Sequence, residues 1–349
     1  TTMSILREMF KSGGFQVSCT GGEFDEWGKR ITDPQKYDFH LFELSSIRLE
    51  NSEGFSPHIA VLLNIFPAHG GRHRDGMMGY IEAKAKIFNN QGPDDFLVHE
   101  ASAVNVRELI RAKNPPSQQV MFSLDNPVEA PGVYLEKDRL IWLGSDGSKE
   151  SFSIVKAAQK DSIFLLNFMA ALAAARLCGV KPPAIQSVLE NFKNLPYRLE
   201  KVRIAGGVNF VNDARSTNMG ATIWAISSFQ RPIWLIMGGA LLPDTDFEIL
   251  RRMAKNRVKG ILLVGSDKES LAEKLKGSTP VIPAKDLNEA IEMAYKKAEE
   301  KDVILFSPAC PPDIYTQGEG ADRGEEFKEI VLKLPDIPRK IPKSTFTRI

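Results

Sequence analysis

Pro232-Ile-Trp-Leu-Ile-Met-Gly-Gly239 is the stretch whose reading decides the fold. An unbroken apolar run that stops at a glycine pair reads as a strand buried on both faces, the kind a parallel sheet needs. The signal returns at Gly260-Ile-Leu-Leu-Val264 and at Val303-Ile-Leu-Phe306. Helical periods at about 217–228, 244–256, 267–276, 286–299 and 322–333 lie between and around these runs. Strand–helix alternation with short connections predicts an α/β fold with a parallel, doubly wound sheet. Just upstream, Arg203-Ile-Ala-Gly-Gly-Val-Asn-Phe-Val-Asn-Asp213 reads as a hairpin around Gly206-Gly207.

Asn194-Leu-Pro-Tyr-Arg198 separates this half from the one before it, because Pro196 breaks a helix and the pattern changes after it. In the first half, 3–12 reads as a helix stopped by Gly13-Gly14. Tyr37 to Leu44 and Ile59 to Ile65 read as buried strands, followed by a helix at about 76–88. Short strands at 94–98 and 119–123 flank a helix at about 102–113. A hairpin is expected over 131–143, then helices at about 161–178 and 182–192. The Pro- and Lys-rich end from Pro335 reads as an extended tail.

The whole chain has 349 residues, 43% hydrophobic and 26% charged, the proportions of globular domains. With 45 Lys plus Arg against 44 Asp plus Glu, the net charge of +1 argues against a nucleic-acid or membrane surface as main partner. No apolar run reaches the roughly 20 residues of a membrane span. Cys19, Cys178 and Cys310 form no CxxC or zinc spacing, so reduced thiols in a cytoplasmic protein are expected. The first residues, Thr1-Thr2-Met3, carry no initiator Met and begin inside a helical period, so the chain is expected to be part of a longer protein.

Chemistry-bearing side chains cluster where strands end. Glu43-Leu-Ser-Ser46 follows one strand, and a carboxylate there serves either to hold Mg²⁺ near phosphates or to cap a helix. His69 follows the next strand, as a ligand or a surface histidine; His58 and His73 carry weaker signals. Lys84 lies on one helix face with Tyr80. Asn212-Asp213-Ala-Arg215-Ser-Thr217-Asn218 places a carboxylate for ribose hydroxyls ahead of a helix N-terminus, where Thr217 or Asn218 either holds an anion or caps the helix. Gly238-Gly239 permits close backbone approach to a ligand. Ser307-Pro-Ala-Cys310 follows the last strand, and Cys310 reads as a packed small side chain.

Taken in order, Glu-Leu-Ser-Ser, Leu-Asn…His, Ala-Lys, Leu-Pro-Tyr-Arg-Leu-Glu, Asn-Asp-x-Arg-x-Thr-Asn, Gly-Gly and Ser-Pro-Ala-Cys resemble the Mur ligase family over residues 1 to about 333. The resemblance implies a central ATP-binding domain over 1–195, a C-terminal Rossmann-like domain over 196–334 and a tail over 335–349. It implies ATP-dependent amide bond formation in peptidoglycan precursor synthesis. D-glutamate would join UDP-N-acetylmuramoyl-L-alanine through an acyl phosphate, in a cytoplasmic monomer. Two alternatives stay open: a related ligase with another amino acid, and a non-catalytic binding or scaffold protein.

By position, the resemblance implies that Glu43, His69 and a carbamylated Lys84 bind Mg²⁺, and that Lys84, His69 and Arg215 serve catalysis. It implies ATP contacts from Thr1, Thr2, Asn167, Arg198 and Asp213, and substrate contacts from Ser45, Ser46, Arg48, Thr217 and Ser307. The family's Gly-Lys-Ser/Thr phosphate loop would end at Thr1-Thr2, so residues 1–349 alone are expected to fold without turning over. The sequence departs from the pattern at Ile163 to Asn167, where only the last Asn of His-Asn-x-x-Asn is kept. Ala68 replaces the acidic residue before His69, no lysine follows Gly238-Gly239, and prolines follow Cys310.

Overall fold

A six-stranded sheet organises each of the two units into which the chain divides, Thr1–Phe66 with Arg72–Lys193 and Pro67–Gly71 with Asn194–Ile349. The structure, a computed structural model, describes residues 1–21, 36–65, 73–125, 127–157, 161–193, 195–241, 245–311 and 320–337.

The first unit begins with α1 (Thr2–Ser12), β1 (Val17–Thr20), β2 (Phe39–Phe42) and α2 (Ser46–Glu50). β3 (Ile59–Leu62), α3 (Gly76–Ala85), β4 (Phe96–Glu100), α4 (Val104–Lys113) and β5 (Gln118–Ser123) follow. Then come β6 (Gly132–Glu136), β7 (Arg139–Leu143), β8 (Lys149–Ser153), α5 (Ser162–Leu177) and α6 (Pro182–Asn191). The sheet order is β3-β4-β5-β6-β7-β8; β3 to β6 run parallel, and β7 and β8 return antiparallel. The hairpin expected over 131–143 is present, and β8 extends it to a three-stranded meander that the polar Lys149–Ser153 did not announce.

α5 is the central helix. Asp161 caps it by accepting from the Phe164 N–H at 2.9 Å, and Gly179 stops it in a left-handed turn at φ +81°. Nearly all of it is buried, including Phe168, Met169 and Leu172, because the sheet covers one side and α1 and α6 the other. Ala170, Ala171 and Ala173 to Ala175 supply the small surface that lets these neighbours approach. Arg176 locks its end, bidentate to Glu150 at 2.7 and 2.8 Å and donating to the Val180 carbonyl at 2.6 Å. Apolar as it is, α5 does not reach bilayer length; no described helix is long and apolar enough to cross a membrane.

The strand expected as buried over 37–44 is corrected. β2 is shorter, half-exposed, and paired in parallel with β1 in a separate two-stranded sheet. On one face Phe39 stacks on Phe10 at 4.4 Å and meets Phe15 edge-on at 5.3 Å; on the other, Phe42 meets Phe55 edge-on at 6.1 Å.

The second unit contains β9 (Glu200–Ala205), β10 (Val208–Asn212), α7 (Met219–Ser227), β11 (Ile233–Gly238), α8 (Glu248–Arg257) and β12 (Val258–Val264). α9 (Lys268–Lys274), β13 (Val281–Pro283), α10 (Leu287–Lys297), β14 (Val303–Phe306) and α11 (Gly320–Lys333) complete it. The order β13-β12-β11-β14-β10-β9 is parallel except for the antiparallel edge strand β9. Side chains of β11 alternate between two cores, as strand geometry dictates. Trp234 and Ile236 pack with α10 and α11, while Ile233, Leu235 and Met237 pack with α7, α8 and α9. That is the doubly wound α/β sheet the sequence predicts. β13, three residues long, gave too short a signal to be foreseen. The start of the tail is held: the Tyr295 hydroxyl donates to the Pro335 carbonyl and accepts from the Ile337 N–H, both at 3.1 Å. Residues 338–349 lie outside the described residues.

Candidate active site

In the first unit, two of the residues expected at the nucleotide meet. The Thr2 hydroxyl donates to Asn167 Oδ1 at 2.5 Å, and Asn167 Nδ2 donates to the Ile163 carbonyl at 2.7 Å. Thr1 is the N-cap residue of α1, and the first turn of α1 holds no acidic side chain. A helix N-terminus with no carboxylate in its first turn suits a phosphate.

Glu43 is exposed just past β2, with its N–H donating to the Thr20 carbonyl at 2.9 Å. Gly21, after β1, lies so close that a Cβ would sit 2.2 Å from the Glu43 carbonyl oxygen. The neighbouring chain ends therefore run against each other, which only glycine at φ +95° allows. Ser45 caps α2, its hydroxyl accepting from the Arg48 N–H at 3.4 Å, and both residues are exposed. Ser46 behaves differently from the expectation that it faces substrate. It is 5% exposed and its hydroxyl meets His73 Nε2 at 2.9 Å, inside the protein.

Lys84, on α3, is half-buried by exposed area, but its ammonium end is crowded. Desolvation holds its pKa below the usual lysine range, and the Glu43 carboxylate offsets part of that. Its Nζ stands over the Tyr80 ring, 5.8 Å from the centroid. His69, the remaining residue of the expected metal set, lies outside the described residues.

In the second unit, the loops after β10, β11 and β14 converge at the carboxyl ends of adjacent parallel strands, where open α/β sheets bind ligands. The Gly238 N–H donates to Pro308 and the Ala309 N–H to Ser216, both at 2.9 Å, and the Ala240 N–H to Pro311 at 3.1 Å. The glycine pair is corrected here. A Cβ on Gly238 would lie 1.9 Å from the Val264 carbonyl oxygen and one on Gly239 2.3 Å from that of Pro311, so the close approach is to the chain itself.

Asp213 is the hub of this loop cluster. Its Oδ2 accepts from Ser216 at 2.5 Å and from Ser307 at 2.9 Å, and its Oδ1 accepts from the Leu199 N–H at 3.2 Å. Burial pushes its pKa up to about 6 despite these donors. Ser307, expected at the substrate, is fully buried; with its proton on Asp213, its oxygen accepts from Thr222 at 2.9 Å. Asn218 caps α7 by accepting from the Ala221 N–H at 2.9 Å, so the half-buried Thr217 is not needed as the cap. Arg215 sends its N–H to the Tyr197 carbonyl at 3.2 Å.

Arg198 sits between two residues with positive φ, Tyr197 at 62° and Leu199 at 46°. Non-glycine residues held there cost on the order of 1–3 kcal/mol each and cluster at functional sites. One residue here went unremarked in the sequence, and one elsewhere carried only a weak signal. Arg323 donates to the Gly238 carbonyl at 3.1 Å and to that of Cys310 at 3.2 Å, joining two of the loops. His73 gave a weak signal because a lone histidine has no spacing to flag it. Cys310 packs in the core beside Ala309, as expected.

Residues 1–175 match the Mur ligase middle domain and 197–310 the glutamate ligase domain of Mur ligases. The chain belongs to the Mur ligase family. A UDP-N-acetylmuramoylalanine–D-glutamate ligase of Syntrophus aciditrophicus is 34% identical over 334 residues, 95% of this chain and 72% of that protein. The ligase of the same name from Myxococcus xanthus is 34% identical over 343 residues, 96% of this chain and 73% of that protein. Among solved structures, the MurF ligase of Thermotoga maritima in complex with ADP superposes with a TM-score of 0.61 at 19% identity. It covers 94% of this chain and 76% of its own, a likeness of fold.

Proposed function

We propose that this Mur ligase family member is an ATP-dependent ligase that joins D-glutamate to UDP-N-acetylmuramoyl-L-alanine. The observation that carries this reading is the 34% identity, over nearly the whole chain, to proteins named for that reaction. The site geometry is compatible with it.

In this reading the substrate carboxylate takes the γ-phosphoryl group of ATP, giving an acyl phosphate. The amine of D-glutamate then attacks the acyl carbon, and phosphate leaves from the tetrahedral intermediate. Thr1 and Thr2 at the α1 N-terminus and Asn167 would hold the nucleotide from the first unit. Arg198 would supply positive charge from its strained turn, with Asp213 holding that turn through Leu199. Ser45 and Arg48, both exposed, would orient the muramoyl substrate.

Two members of the expected donor set carry chemistry that suits a divalent cation. Glu43 is exposed, and burial favours the neutral amine of Lys84, the form that captures CO₂ as a carbamate. Glu43, His69 and carbamylated Lys84 would hold Mg²⁺, whose chemistry there is to neutralise charge on the phosphoryl oxygens.

A second reading, the same chemistry with another amine, is favoured by the loops after β11 and β14. Gly239 packs against the Pro311 backbone, and neither Ala240 nor Leu241 offers a cation to a second carboxylate. The test is phosphate release from ATP by the full-length gene product with UDP-N-acetylmuramoyl-L-alanine, screened over amino acids. Stimulation by D-glutamate above the others is expected. Stimulation by another amino acid alone would replace the first reading with the second, and no stimulation would remove both.

A further inference from the structure

We propose that His73 is the positioning residue of the α2 turn, the side chain that sets how Glu43 and Ser45 are presented. The inference rests on the reading of that turn as the substrate-facing one.

α2 is only five residues long, too short to hold its shape alone. Ser46 and Glu50 are its first and last residues, four apart and on one face. The His73 ring, whose side chain has no exposed surface, lies against both: Nε2 is 2.9 Å from Ser46 Oγ and Nδ1 is 3.2 Å from Glu50 Oε2. The Glu50 approach lies off the N–H direction, so the carboxylate meets the ring N–H as a dipole without a hydrogen bond, while the Ser46 contact is the aligned hydrogen bond. The carboxylate beside Nδ1 favours the proton on that nitrogen, leaving the Nε2 lone pair to accept from the Ser46 hydroxyl.

The other side of the ring is set by α3. The ring centroid is 5.7 Å from that of Tyr80, and a Cβ on Gly79 would come within 3.2 Å of His73 Cβ, so the glycine makes the room. Lys86, just past α3, donates to the Glu50 carbonyl at 2.5 Å. One buried imidazole thus joins the turn carrying Glu43 and Ser45 to the helix carrying Lys84. The order Ser–His–Glu looks like a hydrolytic triad. With Ser46 only 5% exposed and its hydroxyl turned inward, the arrangement has no nucleophile to offer and serves as a brace.

Two measurements on the full-length gene product test this. Nitrogen-resolved NMR of the His73 ring is expected to show the proton on Nδ1 and a Nε2 signal that moves in S46A; a proton on Nε2 in the neutral ring would overturn the proposal. In kinetics, H73L is expected to raise KM for UDP-N-acetylmuramoyl-L-alanine about tenfold, the worth of one buried hydrogen bond, with KM for ATP unchanged. H73Q, whose carbonyl oxygen can accept from Ser46, should recover most of this, and S46A should reproduce H73L without a ring-sized hole. An H73Q no better than H73L, or equal rises in both KM values, would overturn it. If the wild type shows no amino-acid-dependent phosphate release, the functional reading falls, and the NMR result alone decides the role of His73.

Discussion

Thr2 and Asn167 stand 165 residues apart in sequence, yet the hydroxyl of one donates to the amide oxygen of the other at 2.5 Å. The bond ties the first turn of α1 to the central helix α5 and fixes the amide orientation from both ends, since Asn167 Nδ2 is also taken by Ile163. N167L should therefore do two things. It should cost about 1 kcal/mol in thermal unfolding, and it should raise KM for ATP about tenfold with little change for the muramoyl substrate. Thermal unfolding and initial-rate kinetics on the same preparation check both.

Gly238 and Gly277 both have positive φ, 137° and 77°, but in opposite settings. A Cβ at 238 meets the Val264 backbone at 1.9 Å, while one at 277 meets nothing within 4 Å. G238A is expected to destabilise by more than about 3 kcal/mol, because backbone must move. G277A should cost about 1 kcal/mol, the conformational penalty alone. Equal melting temperatures for the two would contradict the geometry.

Asp213 makes the second unit less stable as pH rises through a defined window. Its folded pKa, about 6, lies above the ordinary value of 3.8, so between these the folded state binds the proton more tightly. Stability from this group is complete below about pH 4, is lost as pH climbs through 6, and amounts to about 3 kcal/mol. D213N should flatten that slope in denaturant midpoints measured from pH 4 to 7. A slope unchanged in D213N would assign the pH dependence elsewhere.

Lys84 is expected to carry a carbamate in the active protein. K84A should lower kcat at least about a hundredfold with the fold intact. Wild-type protein prepared in ¹³C-bicarbonate should show a carbamate signal that K84A lacks. Full activity in K84A would remove Lys84 from the site.

The doubly wound sheet was legible because its strands are buried on both faces and so read as continuous apolar runs, as in Ile233 to Met237. β2 misled for a related reason: Phe39 and Leu41 look like a core strand, but composition does not say that, among the described residues, the strand pairs with β1 alone. β8, with Lys149 and Glu150, reads as loop until its antiparallel neighbour β7 is known. At the candidate site, chain order proposed Thr2, Asn167, Glu43, Ser45 and Lys84, and the structure brings Thr2 against Asn167 and Glu43 within electrostatic reach of Lys84. It did not reveal which polar groups spend their bonds inside the protein. Ser46 and Ser307 share a residue type and a strand-end position with exposed Ser45, and only burial separates them. His73 needed partners from another helix before it meant anything.

Arg323 has an evolutionary consequence. Because one guanidinium holds carbonyls from the loops after both β11 and β14, a change in either loop is felt by the other. Amine preference in this protein should then resist single substitutions in either loop. Selection for a new amine would have to find paired changes on the two loops, or first release the clasp at position 323.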